Sequence, residues 1–202
     1  MSFASLSDLR SQLGASPIAE AYREKMLHPV PPAEVVDREA FIRDICIGKR
    51  VLEFGASGSL SRLIRGVASL YLWVDRQHYG DRVVGFDLGD VCADLVPSIV
   101  APEIIICGEI LEHLSNPGWF LTRLRRQYPG VPTVITVPNA FSESGRRHIL
   151  TGVENVNLDH CCWYSFRTLK TLLGKVGYRD FEFAWYRGAP LVAEGLLVRC
   201  IG

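Results

Sequence analysis

The segment Val51-Leu-Glu-Phe-Gly-Ala-Ser-Gly-Ser-Leu60 holds a Gly- and Ser-rich turn that lies between two carboxylates, Glu53 and Asp75. Glu53 lies at the exit of an apolar run, and Asp75 follows Gly55 by roughly the 20 residues that separate a phosphate- or cofactor-cradling turn from a ribose-binding acid. A turn of this composition between a strand and a helix aims backbone N–H groups and the positive end of the helix dipole at a ligand. These residue types at this spacing point to a nucleoside-cofactor site. Proton chemistry has its own candidates among the five histidines. His113 follows the segment Cys107-Gly-Glu-Ile-Leu-Glu112, and His148 and His160 lie in a long polar stretch after residue 138. An imidazole titrates near working pH and serves as a general base where an acceptor hydroxyl must lose its proton.

The elements that must position these groups alternate between strand and helix. Strands are expected at 50–54, 70–74, 82–86, 103–107, 131–137, 178–186 and 195–201. The apolar run 103–107 fits a central parallel strand buried on both faces. Leu60, Leu63, Ile64 and Val67 share one helical face, and so do Leu169, Leu172, Leu173 and Val176. Asn116-Pro117 starts a helix with an N-cap and a proline at its first position, Ser165 caps another, and Gly177 stops it. The segment 138–164 is expected to be a long polar loop, a length that tends to be functional. Its stretches 143–148 and 154–157 could hydrogen-bond a polyol. The pattern predicts an α/β, Rossmann-like, doubly wound and mostly parallel seven-stranded sheet that ends in an antiparallel hairpin. Residues 1–48, broken by His28-Pro-Val-Pro-Pro32, are expected to form a helical N-terminal arm or lid apart from the sheet, with residues 49–202 as the main domain.

Composition narrows the function. The 202 residues carry 22 basic and 22 acidic side chains, so the chain lacks the basic excess of a nucleic-acid binder. The arginines at 123, 125, 126, 146 and 147 read as solvated surface. No apolar run approaches the roughly 20 residues of a membrane span. The first residues lack the basic and apolar regions of a signal peptide, so a cytoplasmic protein with reduced thiols is expected. His160-Cys161-Cys162 has no CxxC partner among the six cysteines, so no metal is expected there.

Four stretches resemble class I S-adenosylmethionine-dependent methyltransferases of the small-molecule type. They are Val51–Ser59, Trp73-Val-Asp75, Cys107-Gly-Glu-Ile-Leu-Glu-His-Leu-Ser-Asn-Pro117 with its Glu-His-Leu, and Asp159–Tyr178. The resemblance covers residues 49–202. It implies S-adenosyl-L-methionine as cofactor, with the turn Gly55, Ala56, Ser57 and Gly58 around its methionine part and Glu53 on the amino group. Asp75 would accept from the ribose hydroxyls. Asp87 and Leu88 would read the adenine edge, with Asp90 a competitor for that place. Cys107, Gly108 and Glu109 would flank the sulfonium and methionine portion, and Trp73 or Trp119 could offer an aromatic face to the cation. The family turn usually has glycines where Ser57 and Ser59 stand, and Gly58 is the position left to supply a positive φ.

The expected reaction is methyl transfer to a small-molecule acceptor such as a sugar or natural-product hydroxyl. His113 or His160 would be the base, and Asn139 and Tyr164 would orient the acceptor. The arm would pack over the cofactor or join a homodimer. Two other readings stand beside it: a degenerate methyltransferase-like binding module, suggested by Ser57 and Ser59, and a nicotinamide-dependent oxidoreductase, which the terminal hairpin disfavours.

Overall fold

The computed structural model describes residues 33–56, 58–75 and 101–202. The expected strand at 82–86 and the residues Ser57, Asp87, Leu88 and Asp90 lie outside them, as does most of the expected arm. The described elements are β1 (Glu34–Val35), α1 (Arg38–Cys46), β2 (Arg50–Phe54), α2 (Gly58–Val67), β3 (Leu70–Val74) and β4 (Ile104–Gly108). After a 3-10 turn at Leu111–His113 come α3 (Pro117–Gln127), β5 (Pro132–Pro138), α4 (Glu143–Leu150), α5 (Phe166–Lys175), β6 (Arg179–Tyr186) and β7 (Gly195–Ile201).

The strands form one seven-stranded sheet in the order β1-β6-β7-β5-β4-β2-β3. β3, β2, β4 and β5 run parallel, whereas β7 is antiparallel to both β5 and β6. This is the mostly parallel sheet with a closing antiparallel hairpin that the alternation of elements predicts. Along β2 successive side chains face opposite sides. Val51 joins Ile42 and Cys46 of α1, Leu60 and Ile64 of α2, and Ile104 and Ile106 of β4 in one buried cluster. Phe54 lies on the other side and meets Phe120 of α3 edge-on, ring centroids 5.4 Å apart. Helices on both faces explain why β4 is apolar throughout.

Local signals set the helix ends. Asn116 accepts from the Trp119 N–H at 3.1 Å ahead of Pro117. Ser165 and Thr168 form a reciprocal capping box, and Asp37 caps α1 through the Ala40 N–H at 2.9 Å. Two local expectations are corrected. Glu34–Val35, expected to belong to a helical arm apart from the sheet, pairs in parallel with Ala184–Trp185 of β6 and forms the sheet's edge. The preceding prolines disguise so short a strand. The expected loop 138–164 contains α4, capped by Ser142 through the Gly145 N–H. Its sequence Glu-Ser-Gly-Arg-Arg-His-Ile-Leu is polar, and Gly145 is its one buried residue, so no apolar stripe betrays it.

Candidate active site

The turn after β2 depends on two glycines. Gly55 has φ +77° and donates its N–H to the Val74 carbonyl at 3.0 Å. A Cβ on it would lie 1.8 Å from the Ile110 side chain, so only glycine lets the turn close against the residue following Glu109. Gly58, with φ +76°, opens α2 and supplies the second left-handed position. Ala56 between them is buried. Ser59 is already helical, and its hydroxyl donates to Glu39 of α1 at 2.7 Å. Asp75 leaves β3 beside this turn, because β2 and β3 pair Phe54 with Val74.

Glu53 is buried, with 1% of its surface exposed. Its carboxylate accepts from the Ser61 hydroxyl at 3.0 Å and from the Tyr71 hydroxyl. Burial pushes its pKa up to about 7; the Tyr71 and Ser61 hydrogen bonds pull the other way, and the nearby Asp75 charge adds to the rise. A cavity of about 330 Å³ lies next to it, lined by Ala56, Gly58, Ser61, Arg62, Arg65, Tyr71 and Trp73.

The second group forms after β4, at the carboxyl end of the parallel strands where open α/β sheets hold ligands. Glu109 sits at φ +54°, a strained conformation for a residue with a Cβ, and its N–H is fixed on the Thr136 carbonyl at 3.0 Å. Its carboxylate accepts from the Tyr186 hydroxyl and lies 3.7 Å from the Arg38 guanidinium, which also stacks over the Tyr186 ring. Gly195 makes room for that ring, since a Cβ there would lie 1.9 Å from Tyr186 Cζ. Arg38 Nε is buried without a hydrogen-bond partner among the described residues.

The 3-10 turn then presents Glu112 and His113. Residues 160–162 dock on it: the N–H groups of Cys161 and Cys162 both donate to the Glu112 carbonyl, at 2.6 and 3.1 Å. The docking brings the His160 ring edge-on to His113, centroids 4.5 Å apart. His113 Nδ1 lies 3.0 Å from Asp159. Burial holds the His160 pKa below the ordinary histidine value, and the neighbouring His113 lowers it further, against the pull of the Asp159 and Glu109 charges. Glu112 is 1% exposed, and among the described residues its Oε2 has no hydrogen-bond partner. Burial pushes its pKa up to about 8, with Glu109 adding to the rise.

His160 also lines a cavity of about 250 Å³ under the 139–164 segment, together with Asn139, Ser144, Asn157, Tyr164 and Glu194. Asn139 and Tyr164 are committed to the chain itself. The Asn139 amide donates to the Leu191 and Ala193 carbonyls, both at 2.9 Å, and the Tyr164 hydroxyl to the Leu111 carbonyl at 3.2 Å. They shape this cavity instead of offering it free donors.

The structure thus places Glu53, Gly55, Ala56, Gly58 and Asp75 around one turn, and Glu109, His113 and His160 around the next strand's exit. Glu112, Arg38 and Tyr186 were not singled out by sequence. Glu112 stood in plain view beside His113, but its burial shows only in three dimensions. Arg38 and Tyr186 reach Glu109 from far along the chain. Among the described residues no helix is long and apolar enough to cross a membrane.

Comparison with known proteins bears on the family and the fold. The profile of a family described as "Methyltransferase domain" matches residues 20–182. A search of curated proteins gives no match. Among solved structures, a SAM-dependent methyltransferase from Archaeoglobus fulgidus is similar at TM-score 0.59 and 13% identity, over 96% of this chain and 98% of that one. An S-adenosylmethionine-dependent methyltransferase from Mesorhizobium loti is similar at TM-score 0.54 and 13% identity, over 94% and 100%. The N-methyltransferase NodS from Bradyrhizobium japonicum, in complex with S-adenosylhomocysteine, is similar at TM-score 0.53 and 14% identity, over 98% and 93%. With most of its length matched by the family profile, the chain belongs to the methyltransferase-domain family.

Proposed function

We propose that the protein transfers a methyl group from S-adenosyl-L-methionine to a hydroxyl of a small polar acceptor, such as a sugar or natural-product intermediate, held in the cavity that His160 lines. One observation carries this reading: His160 belongs both to that cavity and to the pair with His113 at the exit of β4, next to Glu109. An acceptor in the cavity would therefore meet an imidazole that also borders the exit of β4, where the cofactor would be held. Asp75 would take the ribose hydroxyls. The Gly55–Gly58 turn and Glu109 would flank the methionine part. Glu53 would face the amino group, directly or through water. Arg38, with its unpartnered Nε, is suited to the methionine carboxylate. Activating a hydroxyl needs neutral imidazole, whether the ring takes the proton or acts through another group. The His160 environment favours that form, since burial and the neighbouring His113 lower its pKa.

The first test is thermal unfolding with S-adenosylhomocysteine, S-adenosylmethionine and NAD. At a hundredfold excess over Kd a ligand of the native state adds about 2.7 kcal/mol, which raises Tm by roughly 5–10 °C for a chain of this size. A shift with S-adenosylhomocysteine and none with NAD supports the cofactor. No shift with either turns the reading toward a binding module without catalysis. The acceptor is then sought by transfer of labelled methyl to a panel of sugars and polyols. The His160→Gln variant should bind S-adenosylhomocysteine normally and lose turnover by roughly 10²-fold or more. Undiminished turnover would remove His160 from the reaction.

A further inference from the structure

We propose that Glu112, His113 and His160 form a binding site for one divalent transition-metal ion of the zinc type, placed to hold the acceptor's oxygen; this rests on the proposed methyl transfer to a hydroxyl. A carboxylate oxygen of Glu112 and one ring nitrogen from each histidine lie within 4.8 Å of one another. Two ligands of a tetrahedral zinc ion at 2.0–2.1 Å stand about 3.4 Å apart. Modest rotation of two partly exposed rings closes the difference.

Three further features point to a cation. First, the Glu112 carboxylate is buried with one oxygen unpartnered among the described residues. A buried polar group without a partner is costly and is kept where something else satisfies it. Second, Asp159 lies 3.0 Å from His113 Nδ1. With Nδ1–H donating to that carboxylate, Nε2 presents its lone pair, the outer-shell arrangement that fixes a metal-ligating histidine. Third, His160 Nε2 lies at a long hydrogen-bond distance, 3.3 Å, from the Asn157 amide, a contact an ion would readily displace. Two imidazoles and one carboxylate form a donor set that suits zinc and leaves a position open.

The site explains why two histidines meet edge to edge beside a buried acid, a poor arrangement for a lone general base. An ion there faces the cavity through His160. Its open position would take the acceptor hydroxyl and lower that hydroxyl's pKa. The oxygen then attacks the methyl carbon, the O–CH3 bond forming as the S–CH3 bond breaks. The sulfonium leaves as the neutral thioether of S-adenosylhomocysteine, and the hydroxyl proton passes to water. Glu109, whose charge acts on both Glu112 and His160, would support the ion from the cofactor side.

The test uses full-length protein stripped with a chelator, then titrated with Zn²⁺ or Co²⁺ alone by calorimetry and cobalt absorbance. S-adenosylhomocysteine-induced Tm shifts are measured on the same samples. One equivalent should bind to the wild type. Affinity should fall at least 100-fold in Glu112→Gln and in His160→Gln, and roughly 10–100-fold in Asp159→Asn. Cys161→Ser should bind as the wild type does. No binding by a wild type that still responds to S-adenosylhomocysteine overturns the metal site and leaves the methyl-transfer reading standing. Binding that survives Glu112→Gln and His160→Gln, or vanishes in Cys161→Ser, overturns it too. The cofactor-induced shift, retained in each variant, certifies that the variant is folded.

Discussion

Glu53 and Glu112 are both carboxylates with 1% exposure, each at the carboxyl end of the parallel strands, yet the chain treats them differently. Glu53 has two hydroxyl donors of the chain's own, Ser61 and Tyr71, so its half of the site is complete before any ligand arrives. Glu112 keeps an oxygen without a partner among the described residues. The contrast separates a preorganised cradle from a group that waits for something to bind. Stability and function should therefore respond in opposite ways to changes in the two halves.

The sharpest break comes at the seam. Gly55→Ala puts a methyl 1.8 Å from the Ile110 side chain at a φ of +77°. Strain and overpacking together should cost about 3–5 kcal/mol in urea unfolding and abolish the S-adenosylhomocysteine shift. A tolerated alanine would mean that the two halves are not packed as described.

The next effect is pH dependence of the cradle. Glu53 holds its proton up to about 7 in the folded state, against roughly 4.3 in the unfolded chain. The native state therefore binds more protons between these values, and stability falls as pH rises through the window, by about 4 kcal/mol. Glu53→Gln should remove that part of the slope in denaturant titrations between pH 5 and 8. An unchanged slope would assign it elsewhere. For the same reason, a cofactor ammonium on Glu53 should bind more tightly at pH 8 than at pH 6.

Tyr71→Phe and Glu112→Gln compare the halves directly. Removing the tyrosine hydroxyl takes a donor from a buried carboxylate and should cost about 2 kcal/mol at pH 8. Glu112→Gln should cost nothing measurable, or raise Tm, because it replaces an unsatisfied acid. Equal losses would erase the distinction. The smallest effect is expected from Asn116→Ala, which removes the α3 cap beyond the histidine turn. It should cost about 1 kcal/mol and leave S-adenosylhomocysteine affinity unchanged.

What sequence reveals here depends on how local each feature is. The turn, Asp75, Glu109 and His113 sit in continuous stretches whose residue types carry their own chemistry. The alternation of apolar runs and caps was enough for the sheet and its closing hairpin. α4 escaped because it has almost no apolar face, and β1 because a two-residue strand has no period to detect. Arg38 reads as one charge on an amphipathic helix until the fold carries it to Glu109. Glu112 sits between Leu111 and His113, and nothing in that neighbourhood tells that it will be buried or that the 160–162 segment will dock on its carbonyl.

The edge strand β1 has a kinetic consequence. Glu34 pairs with Ala184 across some 150 residues. Such a pairing closes the longest loop among the described strands, and loop-closure entropy must be met before the contact stabilises anything. β1 and the helix after it should therefore dock late, onto a sheet already assembled from β2 to β7. Arg38 travels with that helix, so a chain can hold nearly all of its strand pairing while the guanidinium beside Glu109 is still missing. Substitutions in β1 should then speed unfolding and leave the folding rate nearly untouched.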